Sequence, residues 1–295
     1  MSFLQAILFG FVSAAAAAFP FGSSALMMLT AHITGITGKV SLPLFAVFHT
    51  GILAAICVTY RELIARLALS LIGAAGDVLF NINIFLFRRH IAGHEPYRTV
   101  FEGEERKLAI SIFLTDLITC VMGLILKPFA ESASGNMLAA GGGLLITALI
   151  MTVGSYMKQN RRKASGLRLS DACITGILQG ISVVPGISRM GMVSAGIFGA
   201  GFSRRFTADY AYLSAVPVII GAILVENPVR KAEVFQNIGI MPVIVGTAVS
   251  FFAGVYLIRL GRQVISKRTL LGFAALDGVL GVLLIVLYLG LELYK

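Results

Sequence analysis

Residues 176–194, GILQGISVVPGISRMGMVS, set a Pro-Gly break (Pro185-Gly186), a serine (Ser188) and an arginine (Arg189) inside an otherwise apolar run. A guanidinium in such a setting is costly to desolvate, and its presence there marks a functional site. Proline removes a backbone donor and glycine frees the backbone, so the stretch reads as a helix that stops and restarts part-way through a bilayer. The restarted helix leaves unpaired N–H groups beside Arg189. Such an end attracts an anion, phosphate above all.

The rest of the chain agrees with a membrane setting. Its 295 residues are 57% hydrophobic and 13% charged, with a mean hydropathy of +0.90, which excludes an ordinary soluble domain. Repeated apolar runs match the roughly 20 residues a bilayer requires. The net charge of +10 lies in short loops between those runs, so it reads as topology signal and contact with anionic lipid, not nucleic-acid binding. Cys57, Cys120 and Cys173 have no metal-ligand spacing and are assigned to packing. The Ala-rich stretch 14–18 lacks a basic region before it, the first Lys or Arg being Lys39, so no cleaved signal peptide is expected.

Six runs are long enough to span: 41–59, 108–125, 137–157, 209–225, 237–258 and 270–290. Two further regions, 3–36 and 171–202, break at their midpoints; each has the length of two ordinary spans, but proline and glycine at the midpoint favour re-entrant hairpins of two half-helices. Both carry Pro-x-x-Ser, as Pro20/Ser23 and Pro185/Ser188, an echo of duplicated halves. Segments 61–107 and 158–168 are rich in Arg and Lys, whereas 126–136 holds only Lys127 among cations, so the first two are cytoplasmic and the third external. With 171–202 re-entrant, Arg204, Arg205, Arg259, Arg262, Lys267 and Arg268 fall on the cytoplasmic side as well. Both termini are then external. The expected architecture is a single all-α polytopic membrane domain, 1–295, with six transmembrane helices and two opposed re-entrant hairpins. It forms an inverted repeat of about 1–150 against 166–295. The apolar stretch 65–87 either lies in the interface or adds a helix, and 88–107 reads as a polar cytoplasmic loop.

Gly176, Gln179, Pro185, Gly186, Ser188, Arg189 and Gly191 stand in the register Gly-x-x-Gln…Pro-Gly-x-Ser-Arg-x-Gly. That pattern resembles the second signature of the bacterial undecaprenyl-diphosphatase (UppP/BacA, bacitracin-resistance) family. The likeness continues through GFSRRFTADYAYLSAVPVIIGA (201–222), GLILKPFAE (123–131) and HTGILAAICVTYREL (49–63). It implies six spans with two opposed re-entrant hairpins in a bacterial plasma membrane. The implied activity is dephosphorylation of undecaprenyl diphosphate to the monophosphate carrier lipid, in cell-wall (peptidoglycan) lipid recycling. The family's first signature, Glu-x-x-x-Glu-Phe-Leu-Pro-x-Ser-Ser-x-Gly-His, is altered here. Anchored on Pro20, its glutamates fall on Ser13 and Ala17 and its histidine on Leu26, while Ser23 is kept. In the second signature Met190 and Val193 replace a serine and a threonine, and Asp277 stands where the last span often carries arginine.

The resemblance implies a divalent cation, Mg2+ or Ca2+, held by the paired glutamates. No Asp or Glu precedes Glu62, so the first hairpin supplies no metal carboxylate, and no metal ligands are identifiable. What survives is the anion-binding half. Arg189, Ser188 and Gly186 from the second hairpin and Ser23 and Ser24 from the first are the candidate phosphate-binding residues, with Ser23 a weak candidate nucleophile. For Ser23 and Ser24 the competing reading is helix capping. Asp116, Asp209 and Asp277 are the carboxylates available to replace the missing ones, each against a plainer role in inter-helix hydrogen bonding. Asp277 is also a candidate partner for Arg189 or Arg259. His32 and His49 are assigned to packing. The expected ligand is a polyprenyl phosphate or diphosphate lipid, and the alternative function is a catalytically silent paralogue that binds or translocates it.

Overall fold

The computed structural model describes residues 1–35, 42–88, 96–157, 162–226, 239–266 and 269–293. Lys39, residues 89–95 of the polar loop, 158–161 of the second basic segment, Lys267 and Arg268 lie outside the described residues. Among those described, the chain is helical: α1 (Phe3–Ala18), α2 (Ser23–Ile33), α3 (Leu42–Thr59), α4 (Arg61–Asn83), α5 (Glu104–Ala133) and α6 (Met137–Tyr156). Then come α7 (Leu169–Ile181), α8 (Arg189–Gly199), α9 (Arg204–Leu213), α10 (Ala215–Glu226), α11 (Ile240–Ser266) and α12 (Leu270–Leu293). Six stretches are long and apolar enough to cross a membrane: Arg61–Phe87, Glu104–Ala133, Met137–Tyr156, Arg204–Val225, Ile240–Ile265 and Leu270–Leu291. Large apolar side chains such as Leu149, Phe252 and Val279 are more than half exposed, which water does not tolerate in such number and lipid does. The protein is a multi-pass, all-α membrane protein.

Both expected helix breaks are present, and local chemistry accounts for them. Phe19 precedes Pro20 and is extended (φ −118°, ψ 159°), because a residue before proline is driven out of the helical region; α1 ends there. Gly186 follows Pro185 with φ +84°, a left-handed conformation suited to glycine. The Pro-x-x-Ser echo is not matched in geometry. Ser188 is the N-cap of α8, its Oγ accepting the Gly191 N–H at 3.1 Å, whereas the N-cap of α2 is Gly22 and Ser23 is already its first helical residue.

α1 folds back on α2 and lies along α11, while α7 folds back on α8 and lies along α5. α6 and α12 run together at a close crossing, where a β-carbon on Gly141 would sit 2.8 Å from the Gly281 carbonyl oxygen. On α1, Gly10 meets the Gly246 carbonyl oxygen in the same way. Small residues let backbones approach where lipid removes the hydrophobic drive for helices to associate. The open end of the second hairpin is closed by Arg162, whose Nη2 pairs with Asp171 at 2.8 Å and whose Nη1 donates to the Ala200 carbonyl at 2.8 Å.

The segment left open by sequence, 65–87, is helical within α4, which packs crosswise. Arg66 pairs with Glu105 at 3.0 Å and Asp77 with the adjacent Arg106 at 2.6 Å. Those α4 residues are about 16 Å apart along the helix at 1.5 Å per residue, so α4 passes over the N-terminal end of α5 instead of running beside it. Expected span 108–125 is extended to 104–133, and 209–225 is divided at Ser214 into α9 and α10.

Candidate functional site

The two helix breaks touch. The Gly186 N–H donates to Ser24 Oγ at 2.7 Å, and a side chain at Gly22 would run into the Gly186 carbonyl oxygen. Ser24 therefore joins the hairpins instead of capping its own helix. With glycine as N-cap and no side-chain cap, the first turn of α2 keeps its N–H groups available beside Ser23.

A cavity of about 690 Å³ opens at this junction and gathers Ser23, Ser24, His49, Asp116, Gln179 and Arg189 on its walls. From there it follows α5 from Ala109 to Glu131, with Val216–Val225 of α10 opposite. At 1.5 Å per residue that is about 33 Å, close to the hydrocarbon thickness of a bilayer. Its walls are mostly apolar between the junction and the far end of α5, where Lys127 and Glu131 line it.

Arg189 starts α8 and is part-buried; its Nη1 donates to the Ala211 carbonyl of α9 at 3.0 Å. That bond fixes the side chain while the rest of the guanidinium fork faces the cavity. Asp116, mid-way along α5, is 8% exposed. Its Oδ1 accepts from Gln179 Nε2 at 3.2 Å, and among the described residues its Oδ2 has no hydrogen-bond partner, nor has Gln179 Oε1. A buried carboxylate oxygen without a donor is expensive, and one that lines a cavity is placed to meet a ligand proton or donor. Thr115 beside it is bound to Tyr210 Oη at 2.7 Å and to the Ala172 carbonyl at 3.0 Å, which holds α5 against α7 and α9.

Two phosphate-binding candidates serve the scaffold. Ser188 is fully buried, its N–H donating to Thr147 Oγ1 at 3.0 Å and its Oγ engaged by Gly191, and it does not line the cavity. Gly186 supplies the turn and the inter-hairpin hydrogen bond. Ser13, Ala17 and Leu26, the positions of the altered signature, do not line the cavity either, and Ser13 Oγ is buried without a partner among the described residues.

Several sequence assignments change. His49 is on the cavity wall, not in packing, and His32 is exposed near the end of α2. Cys120 is exposed and lines the cavity. Asp277 is fully buried with both oxygens unpartnered among the described residues, so it pairs with neither Arg189 nor Arg259. Asp209 accepts from Tyr60 Oη at 2.8 Å and from Arg262 Nη2 at 2.8 Å, an inter-helix joint away from the cavity. Burial, followed by Asp209, raises the Tyr60 phenol above its usual range, so it remains the donor. Sequence reasoning misses Gln179 as a site residue; its place in Gly-x-x-Gln is the available signal.

The donor set does not fit the metal that the resemblance implies. Among the described residues no group of three or more His, Cys, Asp or Glu is gathered to hold an ion, although His49, Asp116, Cys120 and Glu131 each line the cavity.

The chain matches the family model described as "Bacitracin resistance protein BacA" over residues 6–283. It is 26% identical over 286 residues to an undecaprenyl-diphosphatase of Alkaliphilus metalliredigens, covering 97% of this chain and 98% of that protein. It is 29% identical over 288 residues to one of Myxococcus xanthus (97% and 89%), and 28% identical over 298 residues to one of Treponema denticola (100% and 98%).

Proposed function

The chain belongs to the bacitracin resistance protein BacA family, and from that membership we propose that it is a membrane phosphatase converting undecaprenyl diphosphate to undecaprenyl monophosphate. The observation that carries the reading is the joining, in one cavity, of a fixed arginine and two serines at the hairpin junction to an apolar groove about as long as the bilayer is thick. The groove suits a prenyl tail and the junction suits its diphosphate. Arg189 offers two N–H groups to a phosphate and is held by Ala211, so little of its entropy is lost on binding. Ser23 Oγ and the first amides of α2 supply further donors from the opposite side. Asp116 Oδ2 takes the proton of the water that attacks the terminal phosphorus; the phosphoanhydride bond breaks, releasing inorganic phosphate and leaving the lipid monophosphate. No step passes through a metal, because the residues present do not fit one.

The exchange of partners, α1 on α11 and α7 on α5, supports inverted repeats of about 1–150 and 166–295, with the ligand held where the opposed hairpins meet. The setting proposed is a bacterial plasma membrane. One observation favours a second reading: the altered signature leaves a single carboxylate, Asp116, at the junction. A protein that binds or translocates polyprenyl phosphates without cleaving them needs no more.

Phosphate release from undecaprenyl diphosphate by the purified protein, with and without Mg2+ or Ca2+, separates the two. Turnover that Arg189→Ala abolishes supports hydrolysis. Absence of turnover beside an active relative carrying both signature glutamates overturns it, and lipid binding lost in Arg189→Ala then supports the second reading.

A further inference from the structure

A second concavity, about 1030 Å³, lies where the end of α3 and the start of α4 meet the start of α9 and the end of α11. Its walls carry Arg61, Arg66, Arg205, Arg259 and Arg262, with Glu62 as the lining carboxylate. Arg66 is taken by Glu105 and Arg262 by Asp209. Arg61, Arg205 and Arg259 are exposed, and each lacks an ion pair or hydrogen bond among the described residues. Three uncompensated guanidinia from three different helices thus converge on one basin, set between apolar walls of Val58, Leu63 and Ile258. Orientation in the membrane explains why basic residues collect on one side. It does not explain their convergence into a concave site, where like charges repel and the field adds.

We propose that this basin is a phosphate-binding site distinct from the hairpin junction, taking an anionic phosphate group either free in solution or on a lipid headgroup. A planar guanidinium matches phosphate oxygens two at a time, and three of them neutralise more charge than the single arginine at the junction. The apolar walls admit the first carbons of a lipid if the phosphate is a headgroup. Tyr60, on the basin wall, packs its ring against Tyr212 at 6.0 Å, and α9 separates the two sites: its Asp209 bonds Tyr60 and Arg262 of this one while its Ala211 carbonyl holds Arg189. The site does not depend on the hydrolysis reading.

The test uses full-length protein in nanodiscs of phosphatidylcholine, titrated with radiolabelled inorganic phosphate and pyrophosphate, in wild type, Arg189→Ala and a triple Arg61→Gln/Arg205→Gln/Arg259→Gln variant. Native mass spectrometry of each, after exchange into phosphatidylglycerol nanodiscs, counts retained anionic lipid. The expected result is anion binding that survives Arg189→Ala, weakens with salt, and falls at least about ten-fold in the triple variant. Loss confined to the soluble anions assigns a free phosphate; loss confined to retained phosphatidylglycerol assigns a headgroup. Equal binding by wild type and triple variant in both arms overturns the site. Should the triple variant not fold, Arg205→Glu alone is measured, with the same two outcomes.

Discussion

Asp116 and Arg189 face one cavity from α5 and α8, and their chemistry divides the proposed reaction. Asp116→Asn keeps the size and the acceptor for Gln179 but removes the base, so phosphate release should fall by about 10²-fold or more while binding of undecaprenyl diphosphate is retained. Equal rates in the two proteins would remove Asp116 from the mechanism. Arg189→Lys keeps the charge but loses the fork and the hold on Ala211, and both binding and turnover should weaken without vanishing, as read by KM and kcat. Arg189 was legible from sequence because a charge beside a Pro-Gly break in an apolar run is too costly to keep without a ligand or a partner. Asp116 was visible only as one aspartate among three, since no local pattern says that Gln179, 63 positions away, leaves one of its oxygens unpaired. Ser188 illustrates an ambiguity that sequence leaves open: a serine after a helix break is equally suited to a ligand and to the N-cap, and here its Oγ accepts the Gly191 N–H.

Among the elements, the hairpin tips are the least tolerant. Gly186 has φ +84°, and a β-carbon there would overlap the Ala140 carbonyl. Gly186→Ala should therefore destabilise the protein by about 1–3 kcal/mol from backbone strain alone, with the overlap added to it. Thermal unfolding in detergent checks this, and an unchanged midpoint would mean that α6 yields freely. At the other side of α9, Asp209→Asn removes the charge that binds Arg262 and Tyr60, and should cost about 2 kcal/mol in the same assay. The hairpins themselves were readable because proline and glycine act locally. The crosswise path of α4 was not: its apolar length satisfies a span and an interfacial helix alike, and its path over α5 is set by ion pairs from Arg66 and Asp77 to consecutive residues of that helix.

For the whole molecule, the distribution of basic residues predicts an orientation with Arg205 facing the cytoplasm and Gly135, in the α5–α6 turn, facing outward. Single cysteines at these positions, in a chain whose three native cysteines are replaced by serine, should label from opposite sides of sealed vesicles. Labelling from one side would break the inverted-repeat arrangement. The number of apolar runs was legible because bilayer thickness sets a length that each run must meet. How the runs pair was not, since lipid is as apolar as the helices and leaves the choice of partner to shape. That choice rests on crossings such as Gly10 with Gly246 and Gly141 with Gly281. A glycine codon has no neighbour encoding anything smaller, so every missense change at these crossings adds bulk against a backbone. The helix contacts can therefore change only by moving apart.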